Sequence, residues 1–275
     1  MKKFISMFLF CNLLSLLFFT ILILPAYANS GIRFACSSQI AKAYGKQIVI
    51  DFQNFFGIPV QIYNGPSHKA LDRLVNDASD IALISLGVPD ELKKKGYIEI
   101  PFCYDSIAVF TNVNSGTGTP CLLSNLSLNQ IRDIFSGRLS NWKELGGADR
   151  KIEVIVPGEE TGAYQNFRMN VMQMREIKYD VIVDRSVAVI EEVQEKPGSI
   201  SFMTNGALTG EESIKILTID KRSPKDRAYP FKQIYSFVIK KDPAPYTSEK
   251  TVINFGLSYY GLAIMHEKGM FPVLE

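Results

Sequence analysis

The sequence predicts an α/β fold with mostly parallel sheets flanked by helices. Two observations carry this prediction. Short apolar strands alternate with helical stripes along residues 32–112. A helix pattern, a buried strand and a second helix start then follow one another between Leu126 and Phe167. Strands that alternate with helices return in the same direction through crossover connections, which is typical of parallel sheets with helices on both faces.

The first 28 residues have the form of a secretory signal peptide. A basic start at residues 2–3 precedes an apolar run over residues 4–24, and residues 26–28 read Ala-Tyr-Ala, a small-x-small cleavage site. The apolar run is also long enough to cross a bilayer, so an uncleaved anchor remains an alternative. Cleavage would lower the formal charge from +2 to 0, and a neutral mature chain argues against a nucleic-acid partner.

The cleavage pattern predicts that the secreted protein begins at Asn29. Intact-mass measurement of the secreted protein tests this. A full-length species extracted from membranes would support the anchor instead.

The first half of the mature chain predicts four strands and two helices. The strands cover residues 32–35, 60–62, 80–85 and 106–112, and the helices cover residues 40–55 and 70–75, where apolar residues recur every third or fourth position. Two serine-containing turns, residues 36–38 and 64–67, each follow a strand and open a helix. Ligands bind at the carboxyl ends of strands in such sheets, so these turns are candidate site segments.

The stretch from Leu126 to Phe167 organises the second half. Ser127 and Gln130 have the spacing of a capping box, and the glycine at position 137 ends the helix that they start. A buried strand over residues 152–156 leads through a Pro-Gly turn to a second helix near Thr161-Gly162. Backbone N–H groups point outward at such a helix start, which suits an anion.

This stretch resembles the phosphate-type periplasmic solute-binding proteins of ABC transporters. The family pattern L-x-x-I-x-x-I-F-x-G-x-I-x-N-W-x-E-x-G-G is matched by Leu128, Ile131, Ile134, Phe135, Gly137, Leu139, Asn141, Trp142, Glu144, Gly146 and Gly147. Residues 105–112, 196–202, 229–240 and 252–265 resemble further family segments. The resemblance therefore covers nearly all of the mature chain, at the level of a distant relative.

The resemblance implies the two-lobed type II periplasmic-binding-protein fold. Lobe one would comprise residues 31–110 and 227–275, and lobe two would comprise residues 111–226. The chain would cross between the lobes near Phe110–Val113 and near Lys221–Tyr229. Such a molecule would capture a small anion in the interlobe cleft, as a monomer, and deliver it to an ABC permease in the membrane.

The candidate ligand-binding residues lie in the turns and at strand ends. They are Ser37, Ser38, Ser67, Ser85, Thr161 and Gly162. Hydroxyl groups donate to anion oxygens, and helix N-termini add partial positive charge. Taken singly, each Ser or Thr is better explained as an N-cap of its own helix. Taken together, and at family positions, Ser38, Ser67 and Thr161 favour ligand contact, whereas both interpretations stay open for Ser37 and Ser85.

The chain departs from the family at its charged positions. Leu86 stands where phosphate-binding members often carry an aspartate that accepts the proton of hydrogen phosphate. Pro157 stands where many carry an arginine, and Ala163 replaces the threonine of Ser-Gly-Thr. These departures predict poor discrimination between phosphate and sulfate. They also leave open a sensory or interaction module with the same fold that has lost phosphate binding.

Enzymatic and metal functions find little support in the sequence. His68 and His266 lie far apart without metal-ligand spacing, so no metal or cofactor is expected. A nucleophilic role for a serine or for Cys36 remains an alternative, but no general base stands at motif spacing. The mature chain has three cysteines, so at least one is free, and Cys103 and Cys121 are open to pairing in an oxidising compartment.

Overall fold

A computed structural model describes residues 31–113, 123–241 and 247–273. The predicted signal segment and Cys121 lie outside this part of the chain. The strands are β1 (Ile32–Ser37), β2 (Val60–Gly65), β3 (Ile81–Ile84), β4 (Ile98–Asn112), β5 (Asn125–Leu126), β6 (Glu153–Pro157), β7 (Val181–Val183), β8 (Ser199–Thr204), β9 (Ile214–Ile219), β10 (Lys232–Ile239) and β11 (Phe271–Pro272).

The helices alternate with these strands along the chain. They are α1 (Ser38–Ile40), α2 (Lys46–Phe56), α3 (Ser67–Val75), α4 (Asp90–Lys94), α5 (Leu128–Phe135), α6 (Gly162–Asn170), α7 (Ala188–Glu195), α8 (Asn205–Leu208), α9 (Ser248–Gly256) and α10 (Tyr259–Glu267). A π-helical segment, Ala41–Gly45, joins α1 to α2, and a 3-10 turn, Trp142–Leu145, follows α5. No helix within the described ranges is both long enough and apolar enough to cross a membrane.

The strands follow the order β2-β1-β3-β10-β4-β8-β6-β7. On one side β1 pairs in parallel with β2 and β3, and on the other β6 pairs in parallel with β7 and β8. The central pairs β3–β10, β10–β4 and β4–β8 are antiparallel. The predicted α/β fold is therefore confirmed. It consists of two largely parallel halves, and the strands between them run in alternating directions.

Strand β4 connects the two halves. Its first part pairs with β10 up to Ser106, and its second part pairs with β8 from Ile107 onward. The N–H of Ile107 donates to the carbonyl oxygen of Phe231 at 2.7 Å, so the returning chain lies beside the same point. The change of partner along β4 falls between Ser106 and Ile107, a few residues before the predicted boundary at residue 110. The exact division into lobes remains a prediction.

Each half has its own aromatic packing. In the first half Phe102 packs against Tyr44 and Phe237, with ring centroids 5.1 and 4.7 Å apart. In the second half the rings of Phe167 and Phe202 stack at 3.7 Å. All five side chains are buried. Aromatic pairs of this kind add stabilisation beyond the area that they bury.

The helix signals of the central stretch are confirmed. The Ser127 hydroxyl accepts from the Gln130 N–H at 3.2 Å, and the Gln130 side chain accepts from the Ser127 N–H at 2.8 Å. Gly137 adopts φ +74°, a left-handed conformation that glycine reaches at little cost. Helix α6 begins at Gly162 with Thr161 as its N-cap, as the sequence predicts.

The apolar stripe of the first long helix is only partly buried. Phe52 is fully buried, but Phe55 is 63% exposed. Phe55 contacts the rings of Phe56, Phe255 and Tyr260 near the surface. The predicted helix over residues 40–55 is therefore present, and Phe55 lies at its exposed end. The last turn of the helix packs there against Phe255, which is buried, and against Phe56 and Tyr260, which are exposed.

Candidate functional site

A buried polar cluster lies at the carboxyl end of β3. Ser67 is the first residue of α3, and Ser85 directly follows β3. Their hydroxyl oxygens are 3.1 Å apart, and the Ser85 N–H donates to the Ser67 hydroxyl at 3.2 Å. Both residues are buried. The sequence placed each of them in the site, and the structure brings them into direct contact.

The N-terminus of α6 closes over these two hydroxyls. A Cβ atom built on Gly162 would lie 2.2 Å from the Ser85 Oγ and 3.0 Å from the Ser67 Oγ. Carbon and oxygen atoms cannot approach so closely, so position 162 accepts only glycine in this arrangement. The absence of a side chain lets the start of α6 reach the serine hydroxyls of the other half.

Two side chains complete the cluster, and no sequence motif predicts either of them. Gln39 is fully buried, and its Nε2 donates to the Ser85 Oγ at 2.7 Å. Asn166, on the second turn of α6, donates from Nδ2 to the carbonyl oxygens of Ser85 and Gly162, each at 2.8 Å. Neither amide stands at a turn or in a recognisable motif. Only the assembled fold shows that they meet the serines.

The remaining predicted residues border the cluster. Thr161 is buried, and its Oγ1 accepts from the Tyr164 N–H at 3.3 Å, which caps α6 and leaves the hydroxyl hydrogen free to donate elsewhere. The Ser38 hydroxyl donates to the Gly65 carbonyl oxygen at 3.3 Å. Ser37 is buried, but no hydrogen bond joins its side chain to the cluster within the described residues. The structure therefore unites Ser67, Ser85 and Gly162 and leaves Ser37 and Ser38 at the side.

The cluster is electrically neutral. All its hydrogen bonds among the described residues join hydroxyl, amide and backbone groups. Leu86 and Pro157, at the family's charged positions, bring no charge. Helices α3 and α6, nine residues each, direct their N-termini at the serine hydroxyls and supply partial positive charge. The arrangement can therefore stabilise a small anion with neutral donors and helix ends.

A polar cleft of about 430 Å³ adjoins this region and is lined by Ser38, Asn64, Lys46 and Arg185, among others. Lys42, on the same wall, is paired with Glu211 at 2.6 Å. The cleft carries charges of both signs, whereas the cluster itself carries none. Ser38 belongs to the cleft wall, which explains why its hydroxyl does not face the serine pair.

A second buried polar group lies where the chain crosses between the halves. Asp105 on β4 is fully buried, and both carboxylate oxygens accept from the Gly206 N–H, at 3.0 and 3.2 Å. The Tyr235 hydroxyl donates to Oδ2 at 2.9 Å. Burial raises the pKa of Asp105 to about 7, although these hydrogen bonds lower it. None of these contacts involves the serine cluster, so Asp105 lies outside the candidate site.

The buried cysteines are poor nucleophiles. Cys36 and Cys103 are fully buried, and burial raises the pKa of each thiol above its ordinary value. A thiol under these conditions stays protonated, whereas the thiolate is the reactive species. Cys36 therefore offers no support for a covalent mechanism. Pairing of Cys103 with Cys121, which the sequence left open, involves a residue outside the described ranges.

The sequence over residues 25–258 matches a family described as the PBP superfamily domain, that is, the periplasmic-binding-protein superfamily. The chain belongs to this superfamily. The phosphate-binding protein PstS of Borreliella burgdorferi is 24% identical over 227 residues, which cover 75% of this chain and 77% of the relative. The phosphate-binding protein PstS of Bacillus subtilis is 23% identical over 168 residues, which cover 60% of this chain and 54% of the relative.

Solved structures of the superfamily have the same fold. A structure described as a phosphate ABC transporter substrate-binding protein with bound phosphate, from Clostridium perfringens, superposes with a TM-score of 0.78 at 23% identity, covering 89% of this chain and all of that one. An ABC-type phosphate transport receptor from Vibrio cholerae superposes with a TM-score of 0.65 at 19% identity, covering 87% of this chain and 99% of that one. The chain therefore has the two-lobed periplasmic-binding-protein fold as a distant PstS-like member, which supports a solute-binding role.

Proposed function

We propose that this protein captures phosphate or a similar small oxyanion outside the cytoplasm and delivers it to an ABC permease. The observation that carries the proposal is the convergence of Ser67, Ser85 and the α6 N-terminus at Gly162, with no side chain between them. Three kinds of neutral donor, namely hydroxyl, amide and backbone N–H, meet at one point. The names of the relatives support phosphate as the first ligand to test.

During capture, the two halves would close around the ligand. Ser67 and Ser85 belong to the first half, whereas Thr161, Gly162 and Asn166 belong to the second. A ligand that bonds to both halves favours the closed arrangement by its differential affinity. In the described arrangement the hydroxyls bond one another, and a bound anion would exchange those bonds for bonds to itself. Closure of this kind requires one copy of the chain, so we expect a monomer.

The first experiment is a thermal-shift and calorimetric screen of the mature protein with phosphate, sulfate, amino acids and sugars. A ligand that binds only the folded protein raises its stability by mass action, by about 2.7 kcal/mol at a concentration of 100 times Kd. We expect oxyanions alone to raise the melting temperature. A rise with an amino acid or a sugar, and none with an oxyanion, would contradict the proposed ligand class.

Replacing Thr161 with alanine is expected to weaken anion binding by about 10- to 150-fold. A hydrogen bond to a charged ligand contributes roughly 1.5–3 kcal/mol, and about 1.4 kcal/mol corresponds to a factor of ten. The variant also loses an N-cap, which costs about 1 kcal/mol of stability. Calorimetry with phosphate measures the first effect, and urea unfolding measures the second.

Thr161→Ser is the matched control, because it retains both the cap and the donor. It should bind phosphate nearly as well as the wild type. If Thr161→Ala and Thr161→Ser bind equally well, Thr161 serves only as a cap and does not contact the ligand.

A sensory or interaction module is the second candidate function. It is favoured by the neutrality of the cluster, since its polar groups bond one another and neither Leu86 nor Pro157 supplies charge. Such a molecule would keep the fold and bind a protein partner without an anion. Failure of every oxyanion in the screen, with a folded and monomeric sample, would favour this second function.

A further inference from the structure

One polar atom in the serine cluster has no partner. Gln39 is fully buried, and its Nε2 is bonded to the Ser85 Oγ at 2.7 Å. Its carbonyl oxygen, Oε1, is buried and accepts no hydrogen bond from any residue that the structure describes. Oε1 and Nε2 are attached to the same carbon atom, so the unpaired oxygen lies at the cluster itself. Buried polar groups are nearly always hydrogen-bonded, so this exception requires an explanation.

Counting hydrogens shows that the cluster also retains an unused donor. The Ser67 and Ser85 hydroxyls carry one hydrogen each, and the 3.1 Å contact between them uses one. The Ser67 hydroxyl oxygen also accepts from the Ser85 N–H, and the Ser85 hydroxyl oxygen accepts from the Gln39 amide. Neither bond uses a hydroxyl hydrogen, so the second hydroxyl hydrogen stays free. The cluster therefore presents one free O–H donor beside one free carbonyl acceptor.

This pair of free groups fits a particular class of anion. Sulfate at neutral pH presents only acceptor oxygens, so it would satisfy the hydroxyl but would place a negative oxygen against the Gln39 carbonyl. Hydrogen phosphate presents acceptor oxygens and also one O–H group. It can accept from the serine pair and donate to Oε1 in the same pose.

We infer that Gln39 selects an oxyanion that carries a proton. Its Oε1 accepts the O–H of the bound anion, while the serine hydroxyls and the α6 N–H groups donate to the unprotonated oxygens. The inference rests on the proposed anion site and assigns its selectivity. Gln39 would supply the acceptor that Leu86 cannot, so the poor discrimination predicted from Leu86 alone would not be observed.

Other acceptors near the cluster are already bonded among the described residues, and the Asn166 Oδ1 accepts from the Asn170 Nδ2 at 3.5 Å. The carbonyl oxygens of Ser85 and Gly162 already accept from Asn166. Asp105 accepts from Gly206 and Tyr235, at the crossing. The O–H group of a bound anion would therefore donate to the unpaired oxygen of Gln39.

The test compares phosphate, arsenate and sulfate binding by calorimetry at neutral pH. The wild type should bind phosphate and arsenate, which both carry a proton, about 5- to 150-fold more tightly than sulfate. Leaving a buried acceptor without a hydrogen bond lowers the affinity by about that factor. Gln39→Met removes the acceptor at similar size. It should weaken the binding of phosphate and arsenate by a similar factor and leave the binding of sulfate unchanged or tighter, so that the preference disappears.

Two further variants make the outcome decisive. Gln47→Met is the matched control, because Gln47 lies exposed on α2 and bonds only Asp51 among the described residues. It should leave all three affinities unchanged. Gln39→Glu keeps an acceptor and adds negative charge, so it should preserve or increase the preference for phosphate over sulfate. It also provides the test if thermal unfolding shows that the methionine variant does not fold.

Four results would overturn the inference. Equal affinity of the wild type for phosphate and sulfate would leave the anion site standing and remove the selective role of Gln39. A preference that survives in Gln39→Met would assign selectivity to another group. Equal weakening of all three anions in that variant would show that the amide N–H, and not the carbonyl, faces the ligand. Failure of the wild type to bind any oxyanion would reject the proposed function and this inference together.

Discussion

Replacing Gly162 with alanine is expected to abolish anion binding, with a loss of more than about 150-fold. The added methyl group would lie 2.2 Å from the Ser85 Oγ and 3.0 Å from the Ser67 Oγ. It would therefore occupy the space between the serine hydroxyls and the α6 N-terminus, where the proposed ligand sits. Losing two hydrogen bonds to a charged ligand costs roughly 3–6 kcal/mol, which corresponds to about 150-fold or more.

The expected loss does not come from the helix. Gly162 is the first residue of α6, and alanine favours helices more than glycine does. The closed arrangement, by contrast, would be strained, and overpacking of this kind typically costs about 1–3 kcal/mol. We therefore expect helix content, measured by circular dichroism, to be unchanged while calorimetry with phosphate shows no heat of binding.

Gly87→Ala provides the matched control for this variant. Gly87 lies two residues after Ser85, and a Cβ atom built on it would meet no heavy atom within 4 Å. The substitution should leave binding intact. Wild-type phosphate affinity in Gly162→Ala would show that the cluster opens far enough to accept the methyl group, and it would place the ligand elsewhere.

The second large effect is expected at Asp105, whose ionisation should make stability fall as pH rises from about 4 to about 7. Burial raises the pKa of this carboxyl group from 3.8 to about 7 in the folded state. Between these values the folded protein holds a proton that the unfolded chain has released, so the free energy of unfolding decreases with pH. The difference between 3.8 and about 7 corresponds to about 4 kcal/mol, lost in full above pH 7.

Asp105→Asn should remove this dependence. The amide stays neutral at every pH, and its oxygen can still accept from the Gly206 N–H. Urea unfolding at pH 4 and pH 8 measures the effect, and the variant should gain about 4 kcal/mol relative to the wild type over that interval. Asp184→Asn, at an exposed carboxylate, should follow the wild-type profile. Parallel profiles for the wild type and Asp105→Asn would show that the carboxyl group ionises without penalty at the crossing.

Much of the local structure follows from residue patterns. The capping box at Ser127 and Gln130, the left-handed Gly137 and the N-cap at Thr161 depend on neighbours within a few positions, so their spacing predicts them. The α/β class also follows, because strand and helix periodicities alternate along the chain. Four strands, β5, β7, β9 and β11, were not predicted, since short or half-exposed strands carry a weak periodic signal.

The candidate site was only partly predictable. Ser67, Ser85 and Gly162 were found because they stand at strand ends and helix starts, where chemistry and position both favour a ligand. Gln39 and Asn166 were missed. An amide side chain inside a helix has no local signature, and its role depends on the residue that faces it from another element.

The sequence by itself determined the α/β class, most of the longer strands and helices, which turns carry hydroxyl groups, and which family positions lack their charge. These properties are local, since each depends on periodicity, capping or residue identity within a short window. Only the tertiary structure decided that α6 approaches the serines so closely that Gly162 cannot carry a side chain, that Gln39 reaches Ser85 with its carbonyl oxygen unpaired, and that Asp105 is buried at the crossing. Each of these results from contacts between residues distant in sequence, and such contacts are set by packing the two halves together.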